Sequence, residues 1–206
     1  MKVVFISDTH NQHHSLSVPT GDVLIHAGDV SGRGTRREIE DFLQWFSAQP
    51  HTHKIFIAGN HDFFIQLSPN EFKKILPSNC IYLQDEMVEI EGFKIYGSPW
   101  TPKFMNWAFM KDPKVIEEVW RNIPKNLDIL ITHGPAHGIL DQLHTGPSVG
   151  CSTLINKVKE LKPRYFLFGH IHESYGSEVK DGTTYLNGAV LNERYYLQNK
   201  AHSFHL

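Results

Sequence analysis

Histidine, aspartate and asparagine side chains fall at five places in this sequence where an apolar run has just ended. Lys2–Ser7 is followed by Asp8-Thr9-His10, Asp22–Ala27 by Gly28-Asp29, and His53–Ala58 by Gly59-Asn60-His61-Asp62. Leu127–Thr132 is followed by His133-Gly134, and Arg164–Phe168 by Gly169-His170-Ile171-His172. A single Asp or His at a strand end is ordinarily a cap, a turn former or a solvated residue. Five such ends in one topological position, all carrying cation-binding types, define a site instead. Asp8, Asp29 and Asn60 offer oxygen, and His10, His133, His170 and His172 offer nitrogen, with no thiolate among them. That mixed set suits Mn²⁺, Fe or Zn²⁺ and is poor for a structural thiolate zinc. Seven ligands exceed the needs of one first-row ion and suit two if a carboxylate bridges; Asp29, central in chain order, is the natural bridge. Two ions about 3.5–4 Å apart clamp a phosphoryl group and activate the water that attacks it. His170 and His172, two residues apart on extended chain, point to one side, so each of two neighbouring ions could receive one imidazole.

The elements that must position these residues follow from hydrophobic periodicity. The five apolar runs read as buried strands. Thr35–Ala48 keeps Ile39, Phe42, Leu43 and Phe46 at helical spacing, with Thr35 and Glu38 as a capping box. A short helix is predicted from Ser68 with Pro69 at its first position, and another over Pro113–Asn122 capped by Asp112. Leu154, Val158 and Leu161 mark a helix face ending before Pro163. Strands are expected near Cys80–Leu83, Met87–Glu91 and Lys94–Ser98. A later meander is expected over Tyr175–Lys180, Thr183–Leu186 and Tyr195–Gln198, with Asp181-Gly182 as its hairpin turn. Strand–helix alternation early and clustered strands late give an α/β (α+β) layered fold with mixed sheets. Nothing marks a linker or repeat, so residues 1–206 read as one domain.

With 20 basic against 22 acidic residues, evenly mixed, the chain has no electrostatic footprint for duplex nucleic acid or an anionic membrane. The start, MKVVFISDTH, is too short and too soon charged for a signal peptide or membrane span. Cys80 and Cys151 lack zinc or redox spacing, which fits a reduced, cytoplasmic setting. Of 14 histidines, His13, His14, His51, His53, His202 and His205 lie in polar or terminal stretches and read as surface or loop residues.

Together, D-x-H at Asp8–His10, G-D at Gly28-Asp29, G-N-H-D at Gly59–Asp62, His133 and G-H-x-H at Gly169–His172 resemble the calcineurin-like metallophosphoesterases. Gly97-Ser98-Pro99-Trp100, Thr132-His133-Gly134-Pro135, Gly150-Cys151 and Gly169–Glu173 are similar to the small branch of metallophosphoesterase-domain-containing proteins. The resemblance implies a four-layer sandwich, two mixed β-sheets flanked by helices, with a dinuclear centre at the strand ends. It implies a first ion on Asp8, His10, Asp29 and His172, and a second on Asp29, Asn60, His133 and His170. Mn²⁺ is the first choice, with Fe, Zn²⁺ or Mg²⁺ as alternatives. His61 would face the phosphate as acid or transition-state donor, and Asp62 would orient His61. Some relatives in this branch have Gly in place of the first His of the last motif; His170 keeps all seven positions intact here.

The expected reaction is in-line attack on phosphorus by a hydroxide bridging the ions, with Asn60 and His61 bonded to the phosphoryl oxygens. Branch resemblance favours a phosphodiesterase for small nucleotide-type substrates, cyclic nucleotides among them. Trp100, Phe104, Trp107 and Phe109 form an aromatic loop, either as part of the core or with one ring, Trp100 first, stacked on a base. A phosphomonoesterase or phosphoprotein phosphatase, and a nucleotide-binding protein with negligible turnover, are the other readings. Oligomeric state is not legible.

Overall fold

Alternate residues of the first strand belong to different cores, and this fixes the layering. Val3 and Phe5 pack with Ile25, Ile55, Ile131 and Leu167, whereas Val4 and Ile6 pack with Phe42, Phe46 and Phe56. Successive strand residues face opposite sides, so a strand apolar at every position must be covered twice. A computed structural model describes residues 1–206. Its strands are β1 (Lys2–Ile6), β2 (Val23–His26), β3 (His53–Phe56), β4 (Ile81–Tyr82), β5 (Glu86–Ile90), β6 (Phe93–Ser98), β7 (Thr101–Pro102), β8 (Met110–Lys111), β9 (Ile129–Thr132), β10 (Tyr165–Phe168), β11 (Gly176–Lys180), β12 (Thr183–Asn187) and β13 (His202–His205). One sheet has the order β13-β1-β2-β3-β4, the other β11-β12-β10-β9-β6-β5, and β7 pairs with β8 separately. The inner strands of both sheets run parallel, and β13, β11 and β5 are antiparallel edges.

Helices cover the outer faces, giving the expected four-layer α/β sandwich of two mixed sheets. The helix α1 (Arg36–Ser47) buries Ile39, Phe42, Leu43 and Phe46 against the first sheet. Its capping box forms as the sequence predicts: Thr35 Oγ1 accepts from Glu38 N, and Glu38 Oε2 accepts from Thr35 N. A five-residue helix α2 (Phe63–Leu67), not anticipated, precedes α3 (Pro69–Ile75). On the second sheet, α4 (Pro113–Arg121) and α5 (Ser152–Leu161) bury Ile116, Trp120, Leu154 and Val158 against Leu130, Phe166 and Phe168. Asp112 does precede α4, but its side chain makes no capping bond and pairs with Lys103 at 3.5 Å.

Three expectations are corrected. Tyr195–Gln198 is not a strand; Tyr195 has φ 60°, and only one isolated bridge, Leu191 to Leu197, forms there. The last strand is instead β13 in the tail, where Phe204 stacks on Tyr165 of the opposite sheet at 4.0 Å. His13 and His51 are buried rather than superficial. The two sheets are stitched where the chain leaves β12: Ser7 donates to Gly188 O and accepts from Val190 N. A Cβ at Gly188 would stand 2.5 Å from the Phe5 ring, so glycine is required at this crossing. No helix is long and apolar enough to cross a membrane.

Candidate metal centre

The carboxyl ends of β1, β2, β3, β9 and β10 bring the singled-out residues into one place. Asp8, His10, Asp29 and His170 all adopt left-handed backbone, with φ of 55°, 39°, 54° and 70°. Non-glycine residues enter this region at a cost, and such residues cluster at functional sites. Close approach is the second device. A Cβ on Gly59 would collide with Asp29, and one on Gly169 with the Asp8 carboxylate and Ser7 Oγ. Gly169→Ala is therefore expected to destabilise the fold by about 1–3 kcal/mol, as overpacking does, and to weaken metal binding together with it. Paired thermal melts with and without Mn²⁺ check this; an unchanged melting temperature would contradict it.

Three imidazoles share one arrangement. Nδ1 of His10 lies 3.1 Å from Ser31 O, Nδ1 of His133 lies 2.9 Å from Ala27 O, and Nδ1 of His172 lies 2.9 Å from Asn192 O. A carbonyl only accepts, so each Nδ1 carries hydrogen and each Nε2 is turned toward the carboxylates. Metal-ligating histidines have this outer bond as a rule. Nε2 of His10 is buried with no hydrogen-bond partner, 3.6 Å from Asp29 Oδ2. Nε2 of His133 lies 3.4 Å from the same oxygen and 2.9 Å from Asn60 Oδ1. Nε2 of His172 lies 3.6 Å from Asp8 Oδ1. Potential ligand atoms of Asp8, His10 and His172, and separately of Asp29, His133 and His170, lie within 4.8 Å of one another. Two half-sites result, one from each triad, with a single Asp29 oxygen between them. An orphaned buried nitrogen and neutral-capable N/O donors fit a pair of divalent cations.

Electrostatics point the same way. Burial would raise both carboxyl groups, yet His172 holds Asp8, and His133 holds Asp29, well below the ordinary carboxylate range. Burial opposes a charge on His133 and His172, but Asp29 and Asp8 respectively outweigh it and lift each imidazole to about 9. Burial, then neighbouring His133, lowers His170 to about 4; burial lowers His10 to about 4 despite Asp29. In the metal-free protein, His133 and His172 thus hold protons that a cation must displace. Cation affinity is expected to rise with pH up to about 9, with a proton released from each of these residues on loading near neutrality. Calorimetric titrations in buffers of different ionisation enthalpy measure that release, and a buffer-independent enthalpy would contradict it. The stabilisation that these raised imidazoles give the metal-free fold is full below pH 6.5 and lost as pH climbs through about 9.

His61 stands beside both half-sites, its N–H donating to Asp29 Oδ1 at 2.8 Å. The expected Asp62–His61 contact does not form. His61 Nδ1 donates instead to Gly32 O at 2.8 Å. The Asp62 carboxylate, fully buried, accepts from Gly59 N, Ser31 N, Val30 N and Ser31 Oγ. It thereby clamps the loop after β2 to the loop after β3. Trp100 is also corrected: its Nε1 donates to Asp85 at 2.7 Å, Lys111 covers its ring at 3.8 Å, and it does not line the cavity over the centre. Phe109 is core.

That cavity, about 570 Å³, is bordered by Asn60, His61, His170 and His172 with Phe104, Trp107, Leu143, Val149 and Tyr195 around them. Sequence reasoning missed Tyr195, whose ring meets His10 at 4.9 Å and His172 at 5.2 Å, and the carbonyls that aim the imidazoles. Trp107 was visible only as one aromatic among four.

Residues 1–174 match the family described as calcineurin-like phosphoesterase. Metallophosphoesterase domain-containing protein 1 of Homo sapiens is 41% identical over 219 residues, covering 94% of this chain and 67% of that protein. A UPF0046 protein of Caenorhabditis elegans is 34% identical over 220 residues, covering 100% and 75%. One crystal structure superposes with a TM-score of 0.68 at 16% identity, covering 91% of this chain and 90% of the other. GAP50, described as the anchor in the inner membrane complex of Plasmodium, gives 0.55 at 10% identity, covering 98% and 76%. These two structures share the fold alone.

Proposed function

We propose that this chain, which belongs to the calcineurin-like phosphoesterase family, is a dimetal phosphodiesterase acting on small nucleotide-type substrates, cyclic nucleotides among them. The observation carrying the reading is the single Asp29 oxygen within 3.6 and 3.4 Å of imidazoles from two different sheets. Asp8, His10, Asp29 and His172 would hold one ion, and Asp29, Asn60, His133 and His170 the other. When bound, two divalent cations, Mn²⁺ by first choice, supply Lewis-acid charge and a water made nucleophilic at neutral pH.

The protein's own groups do the rest. Asn60, with its Oδ1 turned to His133, leaves its amide N–H for a phosphoryl oxygen. His61, with Nδ1 committed to Gly32 O, has Nε2 left to hand a proton to the leaving oxygen. Asp62 acts at one remove, holding the loops that carry Asp29 and Asn60. A cavity of about 570 Å³ is the size of ordinary small-molecule sites. Phe104, Leu143 and Val149 give its rim an apolar surface for a base, the role that Trp100 cannot fill from its place beside Asp85. Residues beyond 174 contribute too, through the Asn192 carbonyl and the Tyr195 ring, which supports treating 1–206 as one domain. The free, unpaired Cys80 and Cys151 support a cytoplasmic setting.

Initial rates on bis(p-nitrophenyl) phosphate and p-nitrophenyl phosphate test the substrate class. A higher kcat/KM for the diester supports the reading. Preference for the monoester would make the protein a phosphatase, and binding of nucleotide without turnover would make it a binding protein.

A further inference from the structure

We infer that Trp107 is a positioning residue for His61, holding the imidazole in the plane from which Nε2 meets the leaving oxygen. The inference rests on the reading of His61 as proton donor. The two rings stack with centroids 4.5 Å apart and planes 28° apart. Around the rest of the imidazole, His10 meets it edge-on at 4.6 Å. Nδ1 is held by Gly32 O, and the Asp29 carboxylate comes within 4.8 Å of a ring nitrogen without a hydrogen bond to it. A ring pinned at one nitrogen can still swing about that bond, because the torsion before a flat ring has broad minima. A carboxylate commonly removes such freedom; here Asp62 is occupied by backbone N–H groups and a face-on indole takes its place.

The chain directly after Trp107 is anchored in a way that serves this contact. Ala108 N donates to the carbonyl of Asn60, the residue immediately before His61, at 3.0 Å. Phe109 N donates to Gln66 Oε1 at 3.1 Å, and both Ala108 and Phe109 are buried. Trp107 itself remains 38% exposed, so core packing is not what holds it. In the step served, the Nε2 proton of the doubly protonated ring passes to the leaving oxygen as its bond to phosphorus breaks. The electron pair of that bond stays on the leaving oxygen, the water oxygen forms the new bond, and the ring ends neutral with Nδ1–H still on Gly32.

The test is a series of phosphodiesters whose leaving groups range from p-nitrophenol to simple alcohols, with Mn²⁺-loaded wild type, His61→Ala, Trp107→Ala and Trp107→Phe. Poor leaving groups need the proton and good ones do not. His61→Ala is therefore expected to lose more activity as the leaving group worsens. Trp107→Ala should follow the same trend, with kcat down about 10- to 100-fold for an alcohol leaving group, KM little changed, and most of the loss rescued in Trp107→Phe. A steep His61→Ala series with a flat Trp107→Ala series would overturn the inference alone. So would a Trp107→Ala effect confined to KM, which would make Trp107 a substrate platform. A flat His61→Ala series would overturn the donor reading and the inference with it.

Discussion

Asp29→Ala is expected to lose both cations and to lower kcat/KM by at least about three orders of magnitude, because the chemistry assigned to the cations is lost as a whole. The reason is positional. Asp29 Oδ2 is the atom that the His10 and His133 half-sites share, and Oδ1 accepts the His61 N–H. Asp8 meets the imidazole of one half-site only, that of His172, and touches the other only through the His170 backbone N–H. Metal analysis of the dialysed variant beside rate measurements checks the claim. Two ions retained with near-normal rates would show that the halves are joined some other way. Asp29→Asn should behave similarly, because the amide keeps the shape but removes the negative charge set between the two half-sites.

His61→Ala is the second large effect and of a different kind. Its imidazole belongs to neither triad; a ring nitrogen does come within 4.8 Å of ligand atoms of His10 and Asp29, but Nδ1 is held by Gly32 O and Nε2 is the atom assigned to the leaving oxygen. Metal content is therefore expected to stay at the wild-type level while kcat falls about 10²- to 10⁴-fold, the usual range for loss of general acid catalysis. Only the backbone N–H of His61 binds Asp29, and alanine keeps it. Loss of metal in this variant would move His61 into the ligand set.

Much of the centre was legible because its chemistry is written in residue types at strand ends. Each of the five ends follows an apolar run, and the glycines beside them, Gly59 and Gly169 above all, mark backbone brought against a carboxylate. The layering was legible from strands apolar at every position. What stayed hidden depends on main-chain atoms and long-range packing. The Ser31, Ala27, Asn192 and Gly32 carbonyls that aim four imidazoles have no residue signature, since any amino acid supplies a carbonyl. Asp62 follows His61 in sequence and so suggests itself as a partner, yet the turn directs its carboxylate to the N–H groups of Gly59 and Ser31. Trp100 and Trp107 are equivalent as letters. Only the β7–β8 pairing and the Ala108–Asn60 bond turn one toward Asp85 and the other over His61. The tail strand His202–His205 is short, and its pairing with Lys2–Phe5 spans nearly the whole chain, beyond any local pattern.

If Asp29 joins two cations, this centre has the parts of a phosphodiesterase. The measurement to make is a stepwise addition of Mn²⁺ to metal-stripped protein, with bound ion and bis(p-nitrophenyl) phosphate hydrolysis followed in the same samples. Saturation is expected at two ions per chain, with turnover appearing as the second site fills. Two ions bound without turnover, or full turnover with one, would contradict it.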